Sequence, residues 1–179
     1  MDSLNKYSYD EFMCLPQEEK ELYKAFGLKV RPDDWGKGDI LEWEWAVIKQ
    51  LQDILNQPSL SYNDMTEVIL IASGLPVKEI CVKPWYEVFR LYNFIITGVK
   101  QINEIEKQLE YEADAREVNA GIDDYSQYGW FVTLDRLAGG DMLKYDAIGK
   151  LKYCDVFAKL KLNKTDAQYS KRLMKQNNV

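Results

Sequence analysis

Few residues in this chain could do acid–base, nucleophilic or metal chemistry, and their spacing gathers few of them into one place. There is no histidine, which removes Ser-His-Asp and Cys-His arrangements, imidazole catalysis near neutral pH and every His-containing metal site. The three cysteines, Cys14, Cys81 and Cys154, are far apart and in no CxxC spacing. That count and spacing fit a reducing compartment better than a disulfide framework. Carboxylate pairs at Asp33/Asp34, Glu42/Glu44 and Asp123/Asp124 are the remaining candidates for a divalent cation. Pro32-Asp33 could open a nuclease-like site, but no [DE]xK triplet follows it, and ordinary exposed charge accounts for these acids more simply. Neither GxxxxGK[ST] nor GxGxxG occurs, and Gly36 and Gly38 precede a helix with no strand before them. The expectation is therefore a protein that is not an enzyme, with no catalytic, cofactor-binding or metal-binding residues. A carboxylate- and metal-dependent enzyme is the remote alternative.

What is abundant is aromatic surface: five tryptophans and twelve tyrosines. In Leu41-Glu42-Trp43-Glu44-Trp45 the two tryptophans lie two residues apart, about 200° around a helix, so both cannot face one core. Either one ring is offered to a partner, as tryptophan favours, or one sits in the core and the other lies along the surface.

The elements that must carry these residues read as helices. Pro16 with Gln17-Glu18-Glu19 opens one that Gly27 closes, since proline and early carboxylates suit a helix N-terminus. Residues 31–38, RPDDWGKG, form a loop. Asp39 is positioned to cap a helix from about Ile40 to Leu55. Ser61 or Asn63 caps another, Met65 to Ala72, ended by Gly74. From Pro84 to about Glu112 no breaker intervenes except Gly98, and Val88, Ile95, Ile102 and Leu109 interleave with Leu91, Gly98 and Ile105 in a three-heptad pattern. This long helix is either a core stripe or a docking surface, and Gly98 would admit another backbone. Further on, a loop at Gly121-Ile122-Asp123-Asp124 precedes a helix with Trp130, Phe131, Leu134 and Leu137 that stops at Gly139-Gly140. Asp141 caps a short element, and Thr165-Asp166 begins a last basic helix. The fold class is all-α, an irregular multi-helix bundle with one long central helix. It spans 1–179 as one domain, with 1–38 as an arm and 141–179 as a basic helical subregion.

A local pattern recurs at intervals of 68 residues: Glu11-Phe12, Glu79-Ile80 and Ala147-Ile148 lie four before Pro16, Pro84 and Lys152, with acids at Glu19, Glu87 and Asp155. It reads as a short helix, a turn and a helix start.

Charge is uneven. Residues 144–175 hold nine basic and three acidic side chains, a net of +6 in a chain of net −6, which leaves −12 on the remainder. The overall sign argues against a wholly nucleic-acid-binding surface. The basic end could meet an acidic protein, a phosphate backbone or the acidic part of a second copy. Lys159, Lys161, Lys171, Arg172 and Lys175 are the candidate contacts. MDSLNKYSYDEF has no signal-peptide pattern, and apolar runs fall well short of the roughly 20 residues that a membrane span needs, so no membrane partner is expected.

The run Leu137-Ala138-Gly139-Gly140-Asp141-Met142-Leu143-Lys144-Tyr145-Asp146, with Ile148 and Tyr153-Cys154-Asp155-Val156-Phe157, resembles small helical proteins of tailed bacteriophages. Met65-Thr66-Glu67-Val68 and Pro84-Trp85-Tyr86-Glu87-Val88-Phe89-Arg90-Leu91 echo it. Together these segments cover about a third of the chain. The similar proteins are tail-assembly chaperones and particle-associated proteins, which share no catalytic residues. The resemblance implies a non-enzymatic structural or assembly protein, at the head-to-tail or tail region, as cargo or as a tail-assembly chaperone. Its partners would be other phage structural proteins or copies of itself, in the host cytoplasm during assembly or in the virion. The alternative is a nucleic-acid-associated protein using the basic segment. As protein-binding residues the sequence offers Trp43, Trp45, Val88, Leu91, Ile95, Gly98, Ile102 and Ile105.

Overall fold

The computed structural model describes residues 7–17, 39–111, 113 and 115–177. Among them the regular structure is helical: α1 (Tyr9–Met13), α2 (Trp45–Leu55), α3 (Tyr62–Ser73), α4 (Val77–Cys81), α5 (Trp85–Glu106), α6 (Ala115–Asn119), α7 (Phe131–Ala138), α8 (Tyr145–Gly149) and α9 (Tyr153–Asn177). Turns of 3-10 helix occupy Ile40–Glu42, Lys107–Leu109, Ile122–Tyr128 and Met142–Lys144. The protein is all-α with a long helix, α5. The helix expected from Pro16 to Gly27, the loop 31–38 and most of the 1–38 arm lie outside the described residues.

Local chemistry sets most boundaries. Ser61 starts α3 by accepting the Asp64 N–H at 3.3 Å, while its own N–H donates to the Asp64 carboxylate at 2.6 Å, so two otherwise orphaned donors are satisfied reciprocally. Gly139 ends α7 at φ 68°, a left-handed conformation that a side chain resists. Asp141 then accepts the Leu143 N–H at 3.1 Å, as its position suggested.

Three boundaries differ from the sequence reading, each for a tertiary reason. The helix expected from Ile40 breaks at Trp43-Glu44, because the Trp43 carbonyl accepts the Tyr153 N–H at 2.8 Å and Glu44 forms a β-bridge with Lys152. Helix α5 ends at Glu106 rather than near Glu112, and the Lys164 ammonium then donates to the carbonyls of Gln108 (2.9 Å) and Glu110 (2.7 Å) beyond it. Thr165 starts nothing: α9 runs through it, and its hydroxyl donates to the Lys161 carbonyl at 3.0 Å, one turn back.

The recurrence at 68 residues is structural. Helices α1, α4 and α8 begin at 9, 77 and 145, each is five residues long, and each is followed by a right-handed cap residue: Cys14, Val82 and Lys150. The second and third copies feed directly into the first turns of α5 and α9 at Trp85 and Tyr153.

The chain forms two compact units, Met1–Ile40 with Gln50–Gln101 and Leu41–Lys49 with Ile102–Val179. The borders pass through α2 and α5, not through 141 where the charge changes, since units follow contacts and charge follows surface. In the first unit Phe12 stacks on Trp85 with centroids 4.5 Å apart and meets Phe89 edge-on at 5.2 Å. In the second, buried Trp45 meets Trp130 edge-on at 5.5 Å, and Ile102, Leu134, Ala138, Tyr153 and Val156 are buried.

Candidate functional site

The heptad stripe of α5 faces inward. Val88, Leu91, Ile95 and Ile102 are buried, as is Gly98, and Ile105 is half-buried. Their apolar surface is already covered in the folded chain, so the stripe is core and not a docking face. Gly98 does allow a close approach, but the approaching group is the Ile40 side chain: a Cβ there would lie 2.5 Å from Ile40 Cδ1. Of the tryptophan pair, Trp45 is in the core and Trp43 is half-buried, and only Trp45 lies on the α-helix. The 200° argument therefore does not apply to them.

In the second unit the Lys49 ammonium and the Tyr153 hydroxyl converge on one oxygen, Glu106 Oε1, at 2.6 and 2.8 Å. Burial, then the neighbouring Glu106 charge, pushes the Tyr153 hydroxyl well above the ordinary tyrosine range. Glu106 thus holds a cation and a phenol on one carboxylate, and ties the end of α5 to α2 and α9.

The accessible chemistry lies elsewhere in the same unit. Gly121, at φ 83°, leads into the 3-10 helix Ile122–Tyr128, in which side chains three apart eclipse, so Tyr125 and Tyr128 share one side. Gly129 turns the chain into α7, whose Phe131, Val132, Asp135 and Arg136 form the facing wall. These residues and Tyr145, which opens α8, line a surface hollow of about 380 Å³. Phe131 stacks on Trp130 at 4.5 Å, and Trp130 is the ring that meets Trp45, so the hollow is braced on the core. Tyr125, Tyr128 and Phe131 are nonetheless 54, 58 and 52% exposed.

Its polar groups are ordered among themselves. The Tyr145 hydroxyl donates to Asp135 Oδ1 at 2.6 Å, which raises its pKa and keeps the proton on the phenol. The Arg136 guanidinium carbon lies 5.8 Å from the Tyr125 ring centroid, within cation–π reach. Such a hollow can take an apolar or aromatic side chain against its rings and orient polar neighbours at its rim. Overall composition does not reveal it, although the local sequence carries a signal: Tyr125, Tyr128, Trp130 and Phe131 crowd into seven residues that contain Gly129 and follow Asp123-Asp124.

Of the basic candidates on α9, Lys171 lies 5.9 Å from the Tyr111 ring centroid and Lys161 5.9 Å from that of Phe157, and both are exposed, as are Lys159 and Arg172; the neighbouring Lys164 binds the carbonyls after α5. The side chain of Lys175 lies outside what is described.

Among the described residues no three acids or cysteines are grouped as metal ligands, and no helix is long and apolar enough to cross a membrane. Glu42 is ion-paired with Lys152, and Asp123 and Asp124 are exposed. No protein-family model matches the chain, and neither a curated protein nor a solved structure matches it.

Proposed function

We propose that this is a non-enzymatic protein that acts by contacting other proteins, as a structural or assembly component of a tailed-bacteriophage particle. The observation that carries the contact reading is the hollow: three half-exposed aromatic rings, Tyr125, Tyr128 and Phe131, gathered at one place and braced on the core. Displaying clustered aromatic surface to water is unfavourable, and aromatic residues are what the centres of protein interfaces use. Leu143 and Met142, in the next turn, add exposed apolar surface.

The phage setting rests on the resemblance carried by Leu137 to Phe157, and it covers a head-to-tail or tail component, packaged cargo and a tail-assembly chaperone alike. Capsid, portal or tail genes beside this one are the expected genomic context. For the contact itself, Tyr128→Asp with Phe131→Asp is expected to abolish recovery of the proteins that accompany the wild-type chain from producing cells, with the unfolding midpoint unchanged. Undiminished recovery would overturn the reading.

A second reading is favoured by the exposure of Lys159, Lys161 and Arg172 on α9: contact with a phosphate backbone. It requires binding to DNA or RNA that weakens steeply with salt. Glutamate at those three positions would abolish it.

A further inference from the structure

We infer that Arg90, on α5, is an oxyanion-binding residue whose guanidinium takes a carboxylate or phosphate group edge-on. It lies in the first unit, whereas the hollow and α9 lie in the second.

The sequence sets one cation in an apolar stretch of helix: from Trp85 to Val99 the only charged residues are Glu87 and Arg90. Val88, Phe89 and Leu91 beside it are buried, and Arg90 shares a half-buried face with Tyr86 and Glu87, one turn earlier. Arginine stays charged at every pH that a folded protein meets. Two of its donors, Nε and Nη2, are nevertheless buried, and neither has a hydrogen-bond partner. Among the described residues no carboxylate is ion-paired with it. Glu87 Oε1 instead accepts the Tyr86 hydroxyl at 3.4 Å.

The two empty donors are not independent. Nε–H and Nη2–H are the parallel prongs of one guanidinium edge, spaced to meet two oxygens of a single carboxylate or phosphate. A buried cation with both prongs unfilled is strongly unfavourable, because desolvation is uncompensated by charge or by hydrogen bonds. A neutral carbonyl oxygen would answer one prong and leave the charge. A two-oxygen anion satisfies both prongs and the charge together. Arg90 is only half-buried as a residue, as are Tyr86 and Glu87, so shifts of side chains on this face admit such a group without opening the core.

Thermal unfolding of the full chain in sodium phosphate, sodium acetate and sodium chloride at matched ionic strength tests this. The wild-type midpoint is expected to rise saturably with phosphate, with acetate or with both, and not with chloride. A response to phosphate alone identifies a phosphate group as the ligand, and a response to acetate alone a carboxylate, the group that an acidic side chain of a partner presents. Arg90→Lys keeps the charge and loses the fork, and Arg90→Met loses both; each is expected to abolish the rise. In chloride Arg90→Met should unfold no lower than the wild type, because it strands no charge. A clearly lower midpoint would show the guanidinium already partnered and would overturn the site. A wild type that answers neither anion, or a rise that survives undiminished in either Arg90 variant, overturns it as well. So does a rise seen only in Glu87→Gln, which would assign the fork to Glu87.

Discussion

Trp45 and Tyr153 open two helices across one reciprocal backbone bridge: the Trp45 N–H donates to the Leu151 carbonyl and the Tyr153 N–H to the Trp43 carbonyl, both at 2.8 Å. Each helix thereby satisfies a first-turn donor that would otherwise lack a partner, and each opening ring is 1% exposed. The first unit repeats the device: Tyr9 donates to the Lys83 carbonyl at 2.8 Å, Trp85 donates to the Tyr7 carbonyl at 3.3 Å, and both rings are buried. Trp45→Ala is expected to cost about 3–5 kcal/mol, the range for emptying a large aromatic site. Tyr153→Phe keeps ring and bridge and loses one hydrogen bond, about 1 kcal/mol. Chemical denaturation separates the two, and equal losses would contradict the bridge-and-ring account.

Glu106 holds Lys49 and Tyr153 on a single oxygen, and the Lys49 and Glu106 side chains are largely covered. Glu106→Gln is expected to lose about 1–3 kcal/mol by leaving the ammonium without its carboxylate. Adding Lys49→Met should recover much of that, because it removes the stranded charge. A double-mutant cycle with no coupling would show that the contact does no work.

The alkaline limb of stability should report the buried phenols. Burial pushes Tyr9 up to about 12 and Tyr153 higher still. An unfolded tyrosine releases its proton near about 10. The folded chain therefore holds protons that the unfolded chain gives up, and the contribution of these phenols, level below about pH 10, is lost as pH rises above that value. Tyr153→Phe should flatten the slope between pH 10 and 12. At the acid end, hydrogen bonds from Ser8 hold Glu11, and those from Ser61 hold Asp64, below the ordinary carboxylate range. Their capping contribution is present above that range and is lost as pH falls.

Gly98→Ala would gain helix propensity of about 1 kcal/mol. Its new methyl would meet Ile40 Cδ1 at 2.5 Å and Cγ2 at 2.9 Å. Overpacking of this kind costs about 1–3 kcal/mol, so a net loss is expected. Ile40→Ala, which removes both clashing carbons, should make the same substitution neutral or stabilising relative to Ile40→Ala alone. A thermal melt of the four combinations checks this.

The helical class, the Ser61 and Asp141 caps, the Gly139-Gly140 stop and the 68-residue recurrence were legible because each is local, set by one cap, one left-handed glycine or one short segment. The break at Trp43-Glu44 was not, because it is made by a backbone 108 residues away, at Lys152. Heptad spacing on α5 marked an apolar face correctly but cannot say what covers it, and here the chain covers it itself. The hollow needed Gly121 and Gly129 to turn two aromatic runs toward each other, a geometry that composition alone does not carry.

The central claim is that the Tyr125–Phe131 hollow is where this protein meets other proteins. A photo-crosslinking phenylalanine analogue at position 131, irradiated in producing cells, tests it most directly, with the analogue at exposed Lys100 as control. Discrete protein adducts at 131 that are missing from the control are expected, and the same band from both positions, or none from 131, would contradict the claim.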